Sequence, residues 1–517
     1  MHQLLNFRIE AGDKIIKNHL DTAAMNAKYT SHQTEKELIK IYEQILVNNI
    51  VSAANNSIGF SVLADETANI SGTEQLSIGI RFVDPTKEQM IREEFLGFVP
   101  LNDMSAASIS DAILSKCLSL SLNLGRLLVQ AYDGCSTMAG KDNGVLSRIR
   151  IKYPKAAFVH WSSHRLNMAV NDLRALRQIR NIIGTIKSII MFFRESPKIR
   201  SMTSLRDSMD CKLDVLSNEA NGNTRQLAHQ LLLASSSTTF SFGLIIISFY
   251  SALLEPCTQA FQAIQLDLLQ VQRHIHELLL IINLHRNKAD MHFSADIHKR
   301  VIQLSGKLNI QLTPPLECSR QLYRNNCGTT GTNVEEYFRQ AMYIPYLDSL
   351  IDLLQTRFSK DNIAQFNLCF LHPAKMRTLT REKLIEKMST VNEVYKIDIF
   401  KLDSAIWFDF WAIQSFQNTI NEFTDLLPRT VFYPAVREAL LILTTLPTIT
   451  CTVERSFSAL WRVKTWLRST MFNEVLSGLC MLSVHREKIR SRKSEFMEQI
   501  VNKFGSERRR LQFLFTE

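Results

Sequence analysis

Three acids in this chain have the chemistry of a metal-dependent site: Asp65, Asp133 and Glu454. Asp65 closes the apolar run "FSVLADET", Asp133 closes "RLLVQAYDG", and Glu454 sits in "TITCTVERSFSALWRVKTWLRSTM". Three carboxylates brought to one spot can hold two Mg²⁺ ions, which activate a water or 3′-hydroxyl and stabilise the leaving oxygen in phosphodiester chemistry. Mg²⁺ takes oxygen ligands and keeps several waters, so few side chains suffice. Spacing alone favours a plainer reading, in which the aspartates form turns and Glu454 is an ordinary helix charge.

Convergence of the acids depends on the strands that carry them. "EQLSIGIRFV" alternates Leu76, Ile78, Ile80 and Phe82, the period of a half-buried strand. The turn signal "DPTK" (Asp84 to Lys87) separates it from "MIREEFLGFVP", which makes a hairpin. Ser105 heads a predicted helix running through Leu122, and "RLLVQAYDG" and "AAFVHW" are further strands. A right-handed crossover lays the fourth strand parallel to the first. Asp65 and Asp133 then end adjacent parallel strands at the carboxyl edge of the sheet, where α/β sites form.

The rest reads as helix. Residues 1–57 form an N-terminal helical segment, 58–172 the first part of an α/β core, and 173–432 a helical region. In the last of these Ile264, Leu268, Val271, Ile275 and Leu278 form one apolar stripe. Residues 433–490 hold the closing helices and 491–517 a basic tail. Val453, Phe457, Leu460 and Leu467 recur at helical spacing, followed by Leu476, Leu479 and Leu482. Two such helices at the end of a chain are either the last layer of a core or an oligomer interface.

At 517 residues the chain is too long for one ordinary core. Hydrophobic residues make up 45% and charged residues 21%, a globular rather than disordered composition. The 60 Lys and Arg exceed the 50 Asp and Glu, so the net charge of +10 makes an anionic partner, DNA first, possible. The nine cysteines are odd in number and irregularly spaced, which fits a reduced intracellular protein without a disulfide framework or structural zinc. The N-terminus lacks a signal-peptide h-region. "FGLIIISFYSALL", from Phe242, reads as too short to span a bilayer and as a buried helix, so no membrane is expected.

Other groups carry less. His160 and His164 lack nearby Cys or His co-ligands, and His164 is read as a supporting group rather than a metal ligand. "REKIRSRK" and "ERRR" read first as a solvated helix face and tail, and second as a nuclear-localisation or phosphate patch. Trp461 and Trp466 interleave with Arg462, Lys464 and Arg468; interface packing is preferred there over base stacking.

Several blocks together resemble the hAT superfamily of cut-and-paste DNA transposases, in its domesticated, zinc-finger-associated branch. They are "LADETANISGTEQLSIGIRFVD", "AYDGCSTMAGKDNGVLSRI", "HWSSHRLNMAV", "EEYFRQAMYIPYLDSLIDLLQTRF" and "LPTITCTVERSFSALWRVKTWLRSTM…LSGLCMLSVHRE". The resemblance implies a mixed α/β fold: an RNase H-like core interrupted by a large all-α insertion, with a C-terminal helical dimerisation segment. It maps a catalytic, Mg²⁺-binding triad onto Asp65, Asp133 and Glu454. It implies a homodimer or higher homo-oligomer in the nucleus, formed through the region of Phe457, Leu460, Trp461, Leu467, Leu476 and Leu479. Departures accompany it. Trp161 stands where relatives carry the Cys of a Cys-x-x-His motif, although His164 remains. No Arg-Trp pair occurs near residues 205–225, and Val475 replaces a frequent Arg. The chain also starts inside the homology, without the zinc-binding DNA-recognition module of many relatives. The implied function is protein dimerisation with catalysis weakened or lost. The alternatives are an active Mg²⁺-dependent transposase and a non-catalytic DNA-binding regulator.

Overall fold

The computed structural model describes residues 2–23, 28–68, 70–84, 86, 90–133, 135–140, 142–159, 162–195, 222–264, 266, 268–314, 333–358, 364–415, 422–447, 451–465 and 471–506. The chain divides into two compact units. The first comprises residues 1–161, 262–269 and 363–517, and the second 162–261 and 270–362.

The first unit is built on five strands: β1 (Phe60–Ala68), β2 (Glu74–Val83), β3 (Ile91–Leu101), β4 (Leu127–Ala131) and β5 (Ala157–Phe158). Their order is β3-β2-β1-β4-β5. The β3-β2-β1 meander is antiparallel, and β4 and β5 add in parallel after the crossover helix Ala106–Ser119. That helix is capped by Ser105, as its sequence predicts, and stops short of Leu122. The five expected strands and the parallel β1/β4 pairing are therefore present, in a mixed α/β fold.

The strands pack on both faces. Phe60, Val62 and Ala64 of β1 join a core with the helices His32–Asn56, Ala106–Ser119 and Asn473–Val484. The opposite face is polar in sequence, and alternation alone made β2 half-buried. In the fold Gln75, Ser77 and Arg81 are buried as well. Helices Pro434–Thr445 and Cys451–Val463 cover this second face. Several of its polar groups find partners there: Ser61 Oγ donates to the Thr445 carbonyl at 2.6 Å, and Arg81 donates to the carbonyls of Ile264 and Leu266 at 3.0 and 3.1 Å.

Residues 364–432 also belong to this unit, although they read as part of the helical region that begins at 173. Trp407 and Trp411 are fully buried in one core with Leu128, Val129 and Val159 of the sheet region. Trp407 Nε1 donates to the Leu371 carbonyl at 2.9 Å. Helical periodicity marks an element's apolar face but not which core receives it.

The described residues of the second unit are helical. Helix Thr238–Ala260 is 23 residues long, longer than its sequence suggested, and is long and apolar enough to cross a membrane by length and composition. In the fold Phe240, Phe242, Ile246, Tyr250 and Leu254 are buried on one side of it. Tyr250 and Tyr343 are fully buried and share a hydroxyl–hydroxyl hydrogen bond of 3.0 Å. Tyr250 also meets His285 Nδ1 at 3.1 Å and Tyr343 meets His292 Nδ1 at 2.7 Å. Two π-helical segments, Phe293–His298 and Arg339–Tyr343, flank this network.

Candidate active site

The site follows from the β1/β4 register. Leu63 pairs with Ala131 in the parallel ladder. Two residues further along each chain, on the same face, come Asp65 and Asp133. β4 ends at Ala131, whereas β1 continues to Ala68, paired with β2 alone. Asp65 therefore does not end its strand; it stands where the parallel neighbour stops. Asp133 begins a tight loop, and its Oδ1 accepts the Cys135 amide at 3.4 Å. The short helix Ser136–Ala139 and Gly140 then fold against the start of helix Val145–Lys152. A Cβ on Gly144 would lie 2.6 Å from Gly140 backbone atoms, so the turn closes only with glycine.

Glu454 reaches the same face on helix Cys451–Val463. Leu63, Ala131 and Val453 form one buried cluster, with Phe457 packed against it. Three devices seat the helix. Glu93 Oε1 accepts the Thr452 amide at 2.8 Å at the helix N-terminus, where a carboxylate also complements the helix dipole. Ser456 Oγ lies 2.7 Å from Ser77 Oγ, and Ser77 is the cross-strand partner of Asp65. Gly79 brings the backbone close: a Cβ there would meet the Glu94 carbonyl at 3.2 Å and Val453 at 3.7 Å. Glu93 is itself held by Arg81, 3.6 Å away, and both side chains are fully buried.

Asp65 senses the other two acids. Burial pushes the Asp65 carboxyl up to about 7, opposed by the Glu66 amide, which donates to Asp65 Oδ1 at 2.9 Å. The charges of Asp133, Glu66 and Glu454 raise it further. Glu66 is raised by burial and by the charges of Asp133 and Glu74. Burial and a hydrogen bond to Asp133 push the Cys135 thiol up to about 11, so it is no thiolate nucleophile near neutral pH. The donors are hard carboxylate oxygens that repel one another, which suits a divalent cation such as Mg²⁺. Among the described residues no group of three or more His, Cys, Asp or Glu side chains, the three acids included, stands close enough together to hold a metal ion. Mg²⁺ needs only one or two carboxylates and waters, so the donor chemistry still fits.

The other predicted residues fall differently. Leu460 and Leu476 are buried in the first unit's own core, with Phe457 and Leu479 partly covered. Phe457 stacks on Phe98 at 6.5 Å. Burial leaves Leu460 and Leu476 no surface to offer a partner, whereas Trp461 is 51% exposed. Leu467 and Trp466, with His160 and Trp161, lie outside the described residues, as does the side chain of His164. Sequence reasoning missed Ser77, Gly79, Glu93 and Ser456, whose only local signal was their place on the polar face of a strand or the inner face of a helix.

Residues 1–144 match the protein family described as DUF4371: ZMYM1/FAM200, RNase-like domain. Over 541 residues, 93% of this chain and 69% of the relative, the chain is 24% identical to the human 52 kDa repressor of the inhibitor of the protein kinase. The mouse protein of that name is 23% identical over 542 residues, with the same shares covered. Together with the five-stranded mixed sheet and the large helical complement, these matches support a likeness to the domesticated, hAT-like branch of transposase-derived proteins.

Proposed function

We propose that this transposase-derived chain works on DNA in the nucleus and keeps a divalent-cation site at Asp65, Asp133 and Glu454. The observation that carries the reading is that the β1/β4 ladder ends with Asp65 and Asp133 on one face, against which the helix bearing Glu454 is packed through Val453. Asp65 feels both Asp133 and Glu454, although the three are far apart in sequence and sit on different elements. The net charge of +10 supports an anionic partner.

Asp65, Asp133 and Glu454 would hold Mg²⁺. When bound, the ion would supply Lewis-acid activation of an attacking hydroxyl and charge stabilisation of the leaving oxygen. The chain's own part is positional. The β1/β4 register sets the two aspartates side by side, and Glu93 and Ser77 fix the helix that presents Glu454. Asp65 must give up its proton to ligate a cation, so uptake releases protons near pH 7.

The test is Mn²⁺ binding, followed by water-proton relaxation, together with Mg²⁺-dependent nicking of supercoiled DNA. The expected result is Mn²⁺ uptake at pH 8 that Asp65→Asn and Glu454→Gln abolish, with nicking lost in Glu454→Gln. No uptake by the parent protein overturns the site. Uptake without nicking leaves a cation-binding relic whose catalysis has been lost, in line with Trp161 at the position of the family's Cys.

Self-association is a second reading. It is favoured by Phe472, 72% exposed at the head of helix Asn473–Val484, rather than by the buried Leu460 and Leu476. Phe472→Glu should convert an oligomer to monomer on a sizing column; an unchanged elution volume removes that interface.

A further inference from the structure

Helix Cys451–Val463 has one face in the core and one in solvent. Val453, Ser456, Ala459 and Leu460 are buried. Glu454, Arg455, Ser458, Trp461 and Arg462 are exposed. At 100° per residue the exposed five fall within an arc of about 120°. Trp461 lies about two turns from Glu454, roughly 10 Å along the axis.

The direction of this stripe is fixed by the contacts beneath it. Val453 lies over Gly79 and Ser456 over Ser77. The helix thus runs from the middle of β2 toward its start, which is the carboxyl edge where Asp65 and Asp133 stand. Asn473, beginning the next helix, accepts a hydrogen bond from Gln75 near that same edge.

Trp461 is 51% exposed, with the guanidinium side chains of Arg455 and Arg462 on the same helix face. Burial raises the Glu93 carboxyl and the charge of Arg455 opposes that rise, while Arg462 Nε donates to the Ser458 carbonyl at 3.1 Å, which anchors that side chain along the helix. Guanidiniums about two turns apart, roughly 10 Å along the axis, suit two backbone phosphates, and an aromatic beside them suits a base. A duplex hides its base faces inside the stack, whereas a single strand offers them to an aromatic ring.

We propose that the outward face of helix Cys451–Val463 is a single-stranded nucleic-acid track, with Trp461 stacking a base and Arg455 and Arg462 holding backbone phosphates. The location of the track beside a reactive centre rests on the carboxylate reading above; strand binding itself does not.

The experiment measures fluorescence anisotropy of a fluorescein-labelled oligo(dT) strand with the full chain in EDTA, where no cation-dependent chemistry can contribute. Trp461→Ala should weaken binding about tenfold, the loss of one stacked base, and Trp461→Phe should restore most of it. Arg455→Ala with Arg462→Ala should flatten the dependence of log affinity on log salt by about 0.7 per lost phosphate contact. Equal affinity of the parent and Trp461→Ala overturns the proposal, as does a failure of Trp461→Phe to recover binding. A change of oligomeric state in Trp461→Ala at unchanged strand affinity also overturns it and assigns the indole to a protein interface. Strand binding without Mn²⁺ uptake sinks the carboxylate site and leaves the track standing; the reverse result does the opposite.

Discussion

Ser77 and Ser456 share a hydrogen bond of 2.7 Å between their hydroxyls, although 379 positions separate them. Both are fully buried, and Ser456 Oγ also donates to the Val453 carbonyl at 2.6 Å. This contact joins the strand opposite Asp65 to the helix that carries Glu454. Ser456→Ala leaves the Ser77 hydroxyl buried without its partner, a loss of about 1–3 kcal/mol. Urea denaturation of the parent, Ser77→Ala, Ser456→Ala and the double variant should show coupling above about 0.5 kcal/mol. Additive losses would mean that the two serines act independently.

Asp65 sets a pH dependence of unusual sign. Its carboxyl titrates at an ordinary 3.8 in the unfolded chain and at about 7 in the fold, because of burial and the neighbouring acids. Between those values the unfolded chain has released a proton that the folded chain retains. Its contribution to stability therefore falls as pH rises from about 4 to 7, by up to about 4 kcal/mol. Asp65→Asn should be more stable than the parent at pH 8 and lose the advantage near pH 4, as read from denaturant midpoints. Mg²⁺ should raise the parent's midpoint at pH 8 and leave that of Asp65→Asn unmoved.

In the second unit the sign reverses. Burial lowers the His285 imidazole from 6.5 to about 4, assisted by the charge of His292 and opposed by Asp296. The two rings stack with centroids 3.7 Å apart, and Tyr250 faces His285 while Tyr343 faces His292. Asp296 lies 3.6 Å from His292 Nε2, and Arg300 opposes protonation of His292. A depressed imidazole stabilises the fold fully above pH 6.5, and that contribution is lost as pH falls through 6.5 toward 4. Protection factors against hydrogen exchange in helix Thr238–Ala260 should fall over that window, and His285→Gln should reduce the dependence, with the remainder due to His292, whose imidazole burial also lowers. Constant protection down to pH 4 would contradict the buried, neutral imidazole.

Some of this was legible in the sequence and some was not. Alternation in "EQLSIGIRFV" located β2, and the apolar runs ending in Asp65 and Asp133 located β1 and β4, because strand period and turn residues are local signals. The same alternation could not reveal that Ser77, Gly79 and Arg81 meet segments more than 180 positions away. A polar face buried by a distant element looks identical to a solvated one. The stripe of Val453, Phe457 and Leu460 marked an inner face correctly but left core and partner undecided. Val453 and Leu460 proved to be core, and Phe457 packs partly buried against it. Trp407 and Trp411 share a core with Leu128 and Val129 of the sheet region, which no local signal in the sequence indicates.

The Arg81–Glu93 pair gives the sharpest test of how the Glu454 helix is held. Both side chains are fully buried 3.6 Å apart, so neither charge is relieved by water. Their losses should nevertheless differ. Glu93→Gln removes the charge but keeps an oxygen able to accept the Thr452 amide, and Arg81 keeps its bonds to the Ile264 and Leu266 carbonyls. Burial already pushes the Glu93 carboxyl upward, so a neutral side chain is partly tolerated there. Arg81→Met strands a buried carboxylate and two carbonyls together, and a broken buried pair costs about 3–5 kcal/mol. Arg81→Met should therefore destabilise the chain more than Glu93→Gln, with Arg81→Met/Glu93→Gln recovering part of the loss. Denaturant midpoints at pH 7 provide the comparison. Equal losses in the two single variants would show that the charge pair itself, and not the cap on Thr452 and the two carbonyls, dominates the anchor.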